Sequence, residues 1–551
     1  MKRIPLRVSG IDALKDESWP MTQGIPFAEG NFPRGTPVRV VDSDNQLLPT
    51  QATPLATWDR EGRFVRFLLV DFQMDLASAA GRQFFLEYGP GAESPVPEQS
   101  VQVAQVCSLA NDGEDRFRLD TGQLRFEWRT GSRALRGPDW FASCQIKGRA
   151  GWTELLQGNP GPFLYLCDQH RNEYRSSDPG EWPLILIEDG GPLRTSLCIR
   201  GYHHSKQGVR FCPYVLRLHF FAGRSDIRIF HTFIFDQDPR VVELSAIGLN
   251  FPFDLGGEWR AAVAGSSTAE PRRAIHSAND RQVLEFLQSD DRTCTASLDG
   301  HLCAEGTRTT GWASLQGSRG GALVVVCDCW QEYPKGLRLS RAGLDVQIWP
   351  AKTITPLRFT TPFTEEAIRF GHTRDEERFK ALLAERPDAP LNLKSLNIQA
   401  PADLEWMERM LARHAPQRVA SHNDTGTENG LGAAKTTELW LHFSSEPLDD
   451  TGAEHFAEAV QAPPIAPADP AYACATRAFG GRFYHAGDPL FATIDAGLDF
   501  LVESVAVEPV EKCRLYGMMR YGNMVCSHSA GPPVSYVYHK DEHPELALRL
   551  V

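Results

Sequence analysis

Long apolar runs are missing from this 551-residue chain. The longest are short, as at 322–327 (ALVVVC), far below the roughly 20 residues that carry a helix across a bilayer. A leader signature is missing as well. The basic Met1, Lys2 and Arg3 run at once into Pro5, Arg7 and the charged Asp12, Lys15, Asp16 and Glu17, so no secretory signal peptide is expected. Positive charge is in deficit, with 57 Lys+Arg against 70 Asp+Glu and a formal net charge of −13. That balance excludes the broad cationic face of a general nucleic-acid binder. It still allows a few cations in a cleft to capture an acidic ligand.

Metal and nucleophile signatures are also absent. The twelve cysteines include no Cys-x-x-Cys pair, so zinc is not expected. Most sit in strand-like apolar runs such as LCI at 197–199 and VCDCW at 326–330, where cysteine acts as a small buried hydrophobe. Free thiols in a reducing cytoplasm are the simplest reading. There is no Gly-x-Ser-x-Gly elbow, Gly-Lys phosphate loop or His-Glu-x-x-His. The stretch GLGAAK at 430–435 has the wrong spacing for a phosphate loop. Asp42, Asp44 and Asn45 are a fragment of a calcium loop and read as a turn. No cofactor is expected.

What is present is a globular composition, 42% hydrophobic and 23% charged, long enough for several domains. Residues 1 to about 355 read as strands between Gly, Pro, Asp and Asn punctuation. At 122–128 (GQLRFEW), Leu124, Phe126 and Trp128 face one way while Arg125 and Glu127 face the other. Many short strands of this kind indicate barrels or sandwiches. The Pro- and Gly-rich stretch 90–100 reads as a linker between a domain at 1–97 and a larger β domain at 104–355. After Pro350 the pattern turns helical over 361–551. Asp403 precedes Leu404, Met407 and Leu411, and Asp488-Pro489 opens a helix with Leu490, Ile494, Leu498 and Leu501 on one face. The order is β, β, then α.

Two segments stand out chemically. From Lys512 to Lys540 there are four Lys/Arg (Lys512, Arg514, Arg520, Lys540) and no Asp or Glu, together with His528, His539, Tyr516, Tyr521, Tyr536 and Tyr538. Arg and Lys bind carboxylates, aromatic rings stack on sugars, and His and Tyr transfer protons. The bland alternative is a surface loop with core tyrosines. The polar, glycine-rich stretch 421–438 is either a loop before a strand or a loop that places His422 or Lys435 in a cleft. His203, His204 and His231 lie in β segments and read as structural or solvated.

Several stretches resemble the exo-rhamnogalacturonan lyase-like (PcRGLX/YetA-like) family. PMTQGIPF at 20–27, LPTQ at 48–51, PLATW at 54–58 and FVRFLLVDF at 64–72 look like its N-terminal barrel. GGPLR at 190–194, Arg200-Gly201, Arg217 with FFAG at 220–223, RIFHTF at 228–233 and CWQEYPK at 329–335 look like its central β-sandwich. GAAKTTEL at 432–439 and LYGMMRYG at 515–522 look like the opening of its C-terminal α/α toroid. The resemblance implies a small RIFT-related β-barrel, a β-sandwich and an α/α toroid. Such proteins are similar to polysaccharide lyase family 26. The activity implied is exo-acting β-elimination at galacturonate in rhamnogalacturonan, and the implied partner is an acidic oligosaccharide. A cation neutralises the carboxylate, a base removes the C5 proton and an acid protonates the leaving oxygen at C4. Chemical inference then assigns His539 or Tyr538 as base or acid and Arg520 as carboxylate clamp. Lys540, His528, Tyr536, Lys435 and His422 are expected to bind substrate. The family pattern departs at Lys435-Thr436-Thr437-Glu438, where relatives are expected to carry His in place of Thr437. The visible helices fall short of a full toroid, so a truncated one is expected, with apolar helix faces left exposed.

Two other functions fit the same domains. One is a non-catalytic carbohydrate-binding protein. The other is a glycoside hydrolase on an α/α toroid, which needs two carboxylates roughly 5–9.5 Å apart, with Asp424, Glu428 and Glu438 as candidates.

Overall fold

The computed structural model describes residues 1–9, 18–75, 82–107, 115–130, 140–156, 161–239, 242–266, 274–277, 279, 281–353, 356–357, 359, 375–385, 406, 409–410, 413–414, 431–507, 510–511, 514, 516–519, 523–526 and 536–539. The protein is mostly β. Its N-terminal part is two antiparallel sheets. One has four strands, with Phe84–Tyr88 between Lys2–Leu6 and Val38–Asp42 and with Leu47–Leu48 at one edge; the other has three, with Val65–Asp75 between Ser18–Pro26 and Thr50–Thr57. Ile4, Trp19, Phe27, Phe72 and Leu86 from both sheets share one core. Asp42 takes the turn role expected of it, its Oδ1 accepting from the Asp44 and Gln46 amides at 2.9 and 2.8 Å.

A five-stranded antiparallel meander follows, from Gln102–Cys107 to Gly151–Glu154. The alternation read at 122–128 holds, with Leu124, Phe126 and Trp128 each under 5% exposed. Next comes a β-sandwich of two layers. One layer carries Leu184–Gly190, Arg194–His204, Arg210–Phe221, Asp226–Ile234, Ala434–Ser444, Gly320–Val326 and Trp312–Gly317 in spatial order. The other carries Phe163–Asp168, Leu244–Phe251, Gly343–Trp349, Lys335–Ser340 and Leu284–Asp290. Leu197, Leu216, Ile229 and Leu439 from the first meet Leu166, Ile247, Leu337 and Val346 from the second in one apolar core.

The placement of Ala434–Ser444 corrects the expectation that this stretch opens a toroid. It is a full strand of the sandwich, hydrogen-bonded between Asp226–Ile234 and Gly320–Val326. Its own pattern explains why: Thr437, Leu439, Leu441 and Phe443 alternate into the core. On the outer face of the same layer, Trp440 stacks on Phe221 at 5.7 Å and on Trp19 of the N-terminal part at 5.3 Å.

The C-terminal helices include Glu376–Glu385, Asp450–Gln461, Pro470–Thr476 and Ala492–Leu501. They do not delineate a toroid among the described residues. Asp450–Gln461 buries Phe456 and Ala457 against the N-terminal core. Asp488 caps its helix as expected, accepting from the Leu490 amide at 3.0 Å. The apolar face that follows is exposed, with Leu490 at 78% and Ile494 at 58%. Asp403, Leu404, Met407 and Leu411 lie outside the described residues.

His203 and His231 are buried in the sandwich, and burial pushes their pKa values down to about 4 and about 3. An unfolded chain protonates histidine near pH 6.5. Between roughly pH 6.5 and 4 the unfolded state therefore binds more protons than the native state, and stability falls as pH drops through that window. Urea midpoints measured from pH 7.5 to 4.5 should decline, and His231→Gln should flatten the decline. Identical profiles for the two proteins would contradict this origin.

Candidate functional site

The strand Gly320–Val326 ends beside Ala434–Ser444, where the Cys327 amide donates to the Glu438 carbonyl at 3.0 Å. The chain then loops through 328–334 and re-enters the opposite layer at Lys335–Ser340. This loop, CWQEYPK at 329–335, crosses from one layer of the sandwich to the other. It brings three charged side chains together at one end of the core.

Lys435 Nζ donates to Glu332 Oε1 at 2.5 Å. Lys335 Nζ donates to the Glu332 carbonyl and lies 4.0 Å from Glu332 Oε2. Lys335 is 1% exposed. Burial lowers its pKa to about 8 even though Glu332 opposes that shift. The Lys435 side chain keeps 18% of its surface. Glu332 is thus shared by a buried cation behind it and a partly accessible cation in front. Of the two lysines, Lys435 is the more exposed, and the buried Lys335 holds Glu332 from behind. The neighbouring thiols are not nucleophiles at neutral pH: burial pushes Cys329 up to about 12 and Cys327 well above its ordinary value. The ten cysteines whose side chains are described are free.

The C-terminal segment docks on the same loop. The Gly517 amide donates to the Gln331 carbonyl at 2.7 Å and the Met518 amide to the Tyr333 carbonyl at 2.8 Å. Arg308 lies 3.7 Å above the Trp330 ring, which packs 4.8 Å from Tyr516. Tyr516 Oη and Arg308 Nη2 both donate to Glu511, at 2.7 and 3.2 Å, and hold its carboxyl below the usual range. Arg514 Nε donates to the buried Asp291 at 3.0 Å. Arg308→Ala should therefore speed hydrogen exchange at the Gly517 and Met518 amides, with less than about 1.5 kcal/mol lost overall. Unchanged exchange at those amides would show that the segment is held without Arg308.

Of the residues singled out in the sequence, the structure places Lys435 in this cluster. Tyr536, Tyr538 and His539 lie in a short strand paired with Asn523–Cys526, in register Cys526↔Tyr536, Met524↔Tyr538 and Asn523↔His539. Arg520, His528, Lys540 and His422 lie outside the described residues, as do Asp424 and Glu428. Glu438 is engaged by Arg228 through two bonds of 2.8 and 3.0 Å. Glu332 and Lys335 entered the sequence reading only as part of a family-like stretch, and Arg308 did not enter it. A lysine in phase with the apolar Leu337 and Leu339, as in KGLRL at 335–339, was the available signal for Lys335.

Fold and site together define a mostly β protein with a central sandwich and a lysine–glutamate–lysine cluster at one end of it. Residues 110–261 match the family model described as PcRGLX-like protein central beta sandwich domain. The chain is also 22% identical over 550 residues to "Uncharacterized protein YetA" of Bacillus subtilis (strain 168), covering 95% of this chain and 58% of that relative. Both matches support the PcRGLX/YetA-like family, and the chain spans 58% of the length of that curated relative. Among solved structures, an alpha-mannosidase from Enterococcus faecalis V583 superposes with a TM-score of 0.43 at 9% identity, over 84% of this chain and 45% of that one. A glycosyl hydrolase family 38 protein from Enterococcus faecalis gives 0.38 at 9% identity, over 84% and 47%. Scores at that level do not establish a shared fold. No helix among the described residues is long and apolar enough to cross a membrane.

Proposed function

We propose that this protein is a carbohydrate-active enzyme that cleaves an acidic, rhamnogalacturonan-type oligosaccharide by β-elimination at a galacturonate. The observation that carries the reading is Lys435, a partly accessible ammonium fixed on Glu332 and backed by the buried Lys335. An ammonium held in a low-dielectric setting can bind a uronate carboxylate and withdraw its charge, which makes the C5 proton removable. Because Lys435 Nζ is ion-paired with Glu332, its role is carboxylate clamp rather than base. Tyr538 or His539 is proposed as the base that takes the C5 proton and as the acid that protonates the O4 leaving group, with Arg520, Lys540, His528, Tyr536 and His422 as further substrate contacts. The C4–O4 bond breaks as the C4=C5 double bond forms, so no water is consumed. Support comes from the docking of Tyr516, Gly517 and Met518 beside CWQEYPK, because Arg520, Tyr538 and His539 follow them in sequence.

Incubation with de-esterified rhamnogalacturonan oligosaccharides tests the reading. Elimination produces the ultraviolet absorbance of a 4,5-unsaturated uronate together with new chain ends. New reducing ends without that absorbance would replace the lyase by a hydrolase. Neither signal, with measurable binding, would leave a binding protein.

A further inference from the structure

The second layer of the sandwich carries a polar depression on its outer face. On Lys335–Ser340, the residues Lys335, Leu337 and Leu339 point into the sandwich and are 1% exposed or less. Gly336 and Arg338 therefore belong to the outer face. Register carries that face across the neighbouring strands. Arg338 lies opposite Glu285 and Asp345, and Gly336 opposite Leu287 and Gln347. Beyond them, Ser297 and Thr295 of the strand Thr293–Leu298 lie opposite Glu285 and Leu287. Glu285, Leu287, Thr295, Ser297, Arg338 and Gln347 line a cavity of about 70 Å³, which Lys352 completes from the turn after Gly343–Trp349. A Cβ at Gly336 would stand 2.7 Å from Gln347 Oε1, so the glycine keeps the floor open.

Glu285 accepts from Lys352 Nζ at 2.6 Å and faces Arg338 Nε at 3.3 Å. A carboxylate offers about four lone-pair sites, so Glu285 keeps capacity for a ligand hydroxyl. The Thr295 and Ser297 hydroxyls make no hydrogen bond to the described residues. Gln347 Nε2 and Tyr165 Oη both donate to Asp345 Oδ2, at 2.8 and 3.1 Å, while Asp345 Oδ1 is buried with no partner among the described residues. The strip thus presents open acceptors and donors side by side. Its charges give an anion no advantage. Arg338 and Lys352 stand against Glu285 and Asp345, and Glu305 lies opposite Thr295.

We propose that this cavity is a second saccharide site, for an uncharged sugar unit held by two adjacent hydroxyls. Its size is that of two water molecules at roughly 30 Å³ each. Neighbouring ring hydroxyls stand one hydrogen-bond length apart, about 2.8 Å. A vicinal diol therefore replaces such a water pair and keeps its bonds. Each hydroxyl both donates and accepts, which matches Glu285 on one side and Lys352, Thr295 and Ser297 on the other. Leu287 and the bare Gly336 offer an apolar floor to ring C–H groups. The site does not rest on the elimination chemistry. It lies on the opposite face of the layer from the buried Lys335, and it selects for hydroxyls where Lys435 selects for charge.

Saturation-transfer NMR tests it with methyl α-L-rhamnopyranoside and methyl β-D-galactopyranoside, each beside its isopropylidene derivative, in which the vicinal diol is blocked. Wild type should bind a free glycoside in the millimolar range and its blocked form at least about 10-fold more weakly. The double variant Thr295→Val/Ser297→Ala removes only outward hydroxyls and should weaken binding of the free glycoside about 10-fold. Lys352→Ala, at a side chain 64% exposed, should weaken it about 3-fold and guards against a folding defect in the double variant. Binding of de-esterified oligogalacturonate should stay unchanged in both variants, because Lys435 is untouched. Equal binding of free and blocked glycosides would overturn the site, as would unaltered affinity in both variants. No transfer to either free glycoside from wild type at about 100 mM would do the same. A parallel fall in oligogalacturonate affinity would overturn it as a separate site. The ultraviolet product is measured apart from all of these, so the lyase stands or falls on its own.

Discussion

Lys435→Met is expected to lower the rate of unsaturated-product formation by about 100-fold or more, the scale on which one preorganised charge-stabilising group acts. The loss should appear mainly in kcat, because neutralising the carboxylate matters most as negative charge builds at C5. The fold should survive. Glu332 remains 4.0 Å from Lys335 and keeps its carbonyl bond to that amine, so its carboxylate is not left without a cation. Lys335→Met should behave differently: it strips the buried positioning cation, loosens Glu332 and costs stability as well as rate. Ultraviolet progress curves and denaturation midpoints on the two variants separate these roles. A Lys435→Met protein with wild-type turnover would end the assignment of Lys435 as clamp.

Arg194→Ala should be the most destabilising single change outside the apolar core, at about 3–5 kcal/mol. Arg194 is 5% exposed and reaches Asp71 of the N-terminal part at 2.7 and 3.1 Å, and it also pairs with Asp189. Its third side-chain partner is His219 Nδ1 at 3.2 Å. Burial, together with the charge of Arg194, drives the His219 pKa down to about 3, so the ring accepts as a neutral imidazole. Gln51 completes the joint, its Oε1 accepting the Leu193 and Arg194 amides at 3.0 and 2.9 Å. Removing the guanidinium leaves Asp71, 2% exposed, with the Thr22 hydroxyl at 2.6 Å as its remaining side-chain donor among the hydrogen bonds described. Urea unfolding followed by the fluorescence of Trp19 and Trp440, which stack across this joint, measures the loss. Asp71→Asn in the same background should recover part of it, because an amide tolerates the missing cation. A loss under about 1 kcal/mol in Arg194→Ala would show that apolar packing, rather than this ion pair, joins the two parts.

The candidate site was only partly legible in the sequence. Lys435 was singled out because a polar, glycine-rich stretch precedes an apolar run, and that contrast is local. Its partner Glu332 lies 103 residues away, and no pattern within either segment shows that they meet. The same holds for Trp330 and Arg308 against Tyr516, which come from a loop, a strand connection and the C-terminal segment. The basic, aromatic run at 512–540 was visible as composition, but composition names groups without placing them.

Local physics determined much of this protein from its sequence. Alternation at Leu124, Phe126 and Trp128, the Asp488 cap, the free cysteines and the strand-rich character of residues 1 to about 355 follow from side-chain periodicity and backbone chemistry within a few residues. Tertiary structure alone decided that Ala434–Ser444 belongs to the sandwich rather than to the helical part. It also decided that Glu332 stands between two lysines and that Arg194 joins the N-terminal sheets to the sandwich. The physical reason is that strand pairing and buried ion pairs satisfy groups far apart in the chain. Which distant partner satisfies them is set by register and burial across the whole sheet.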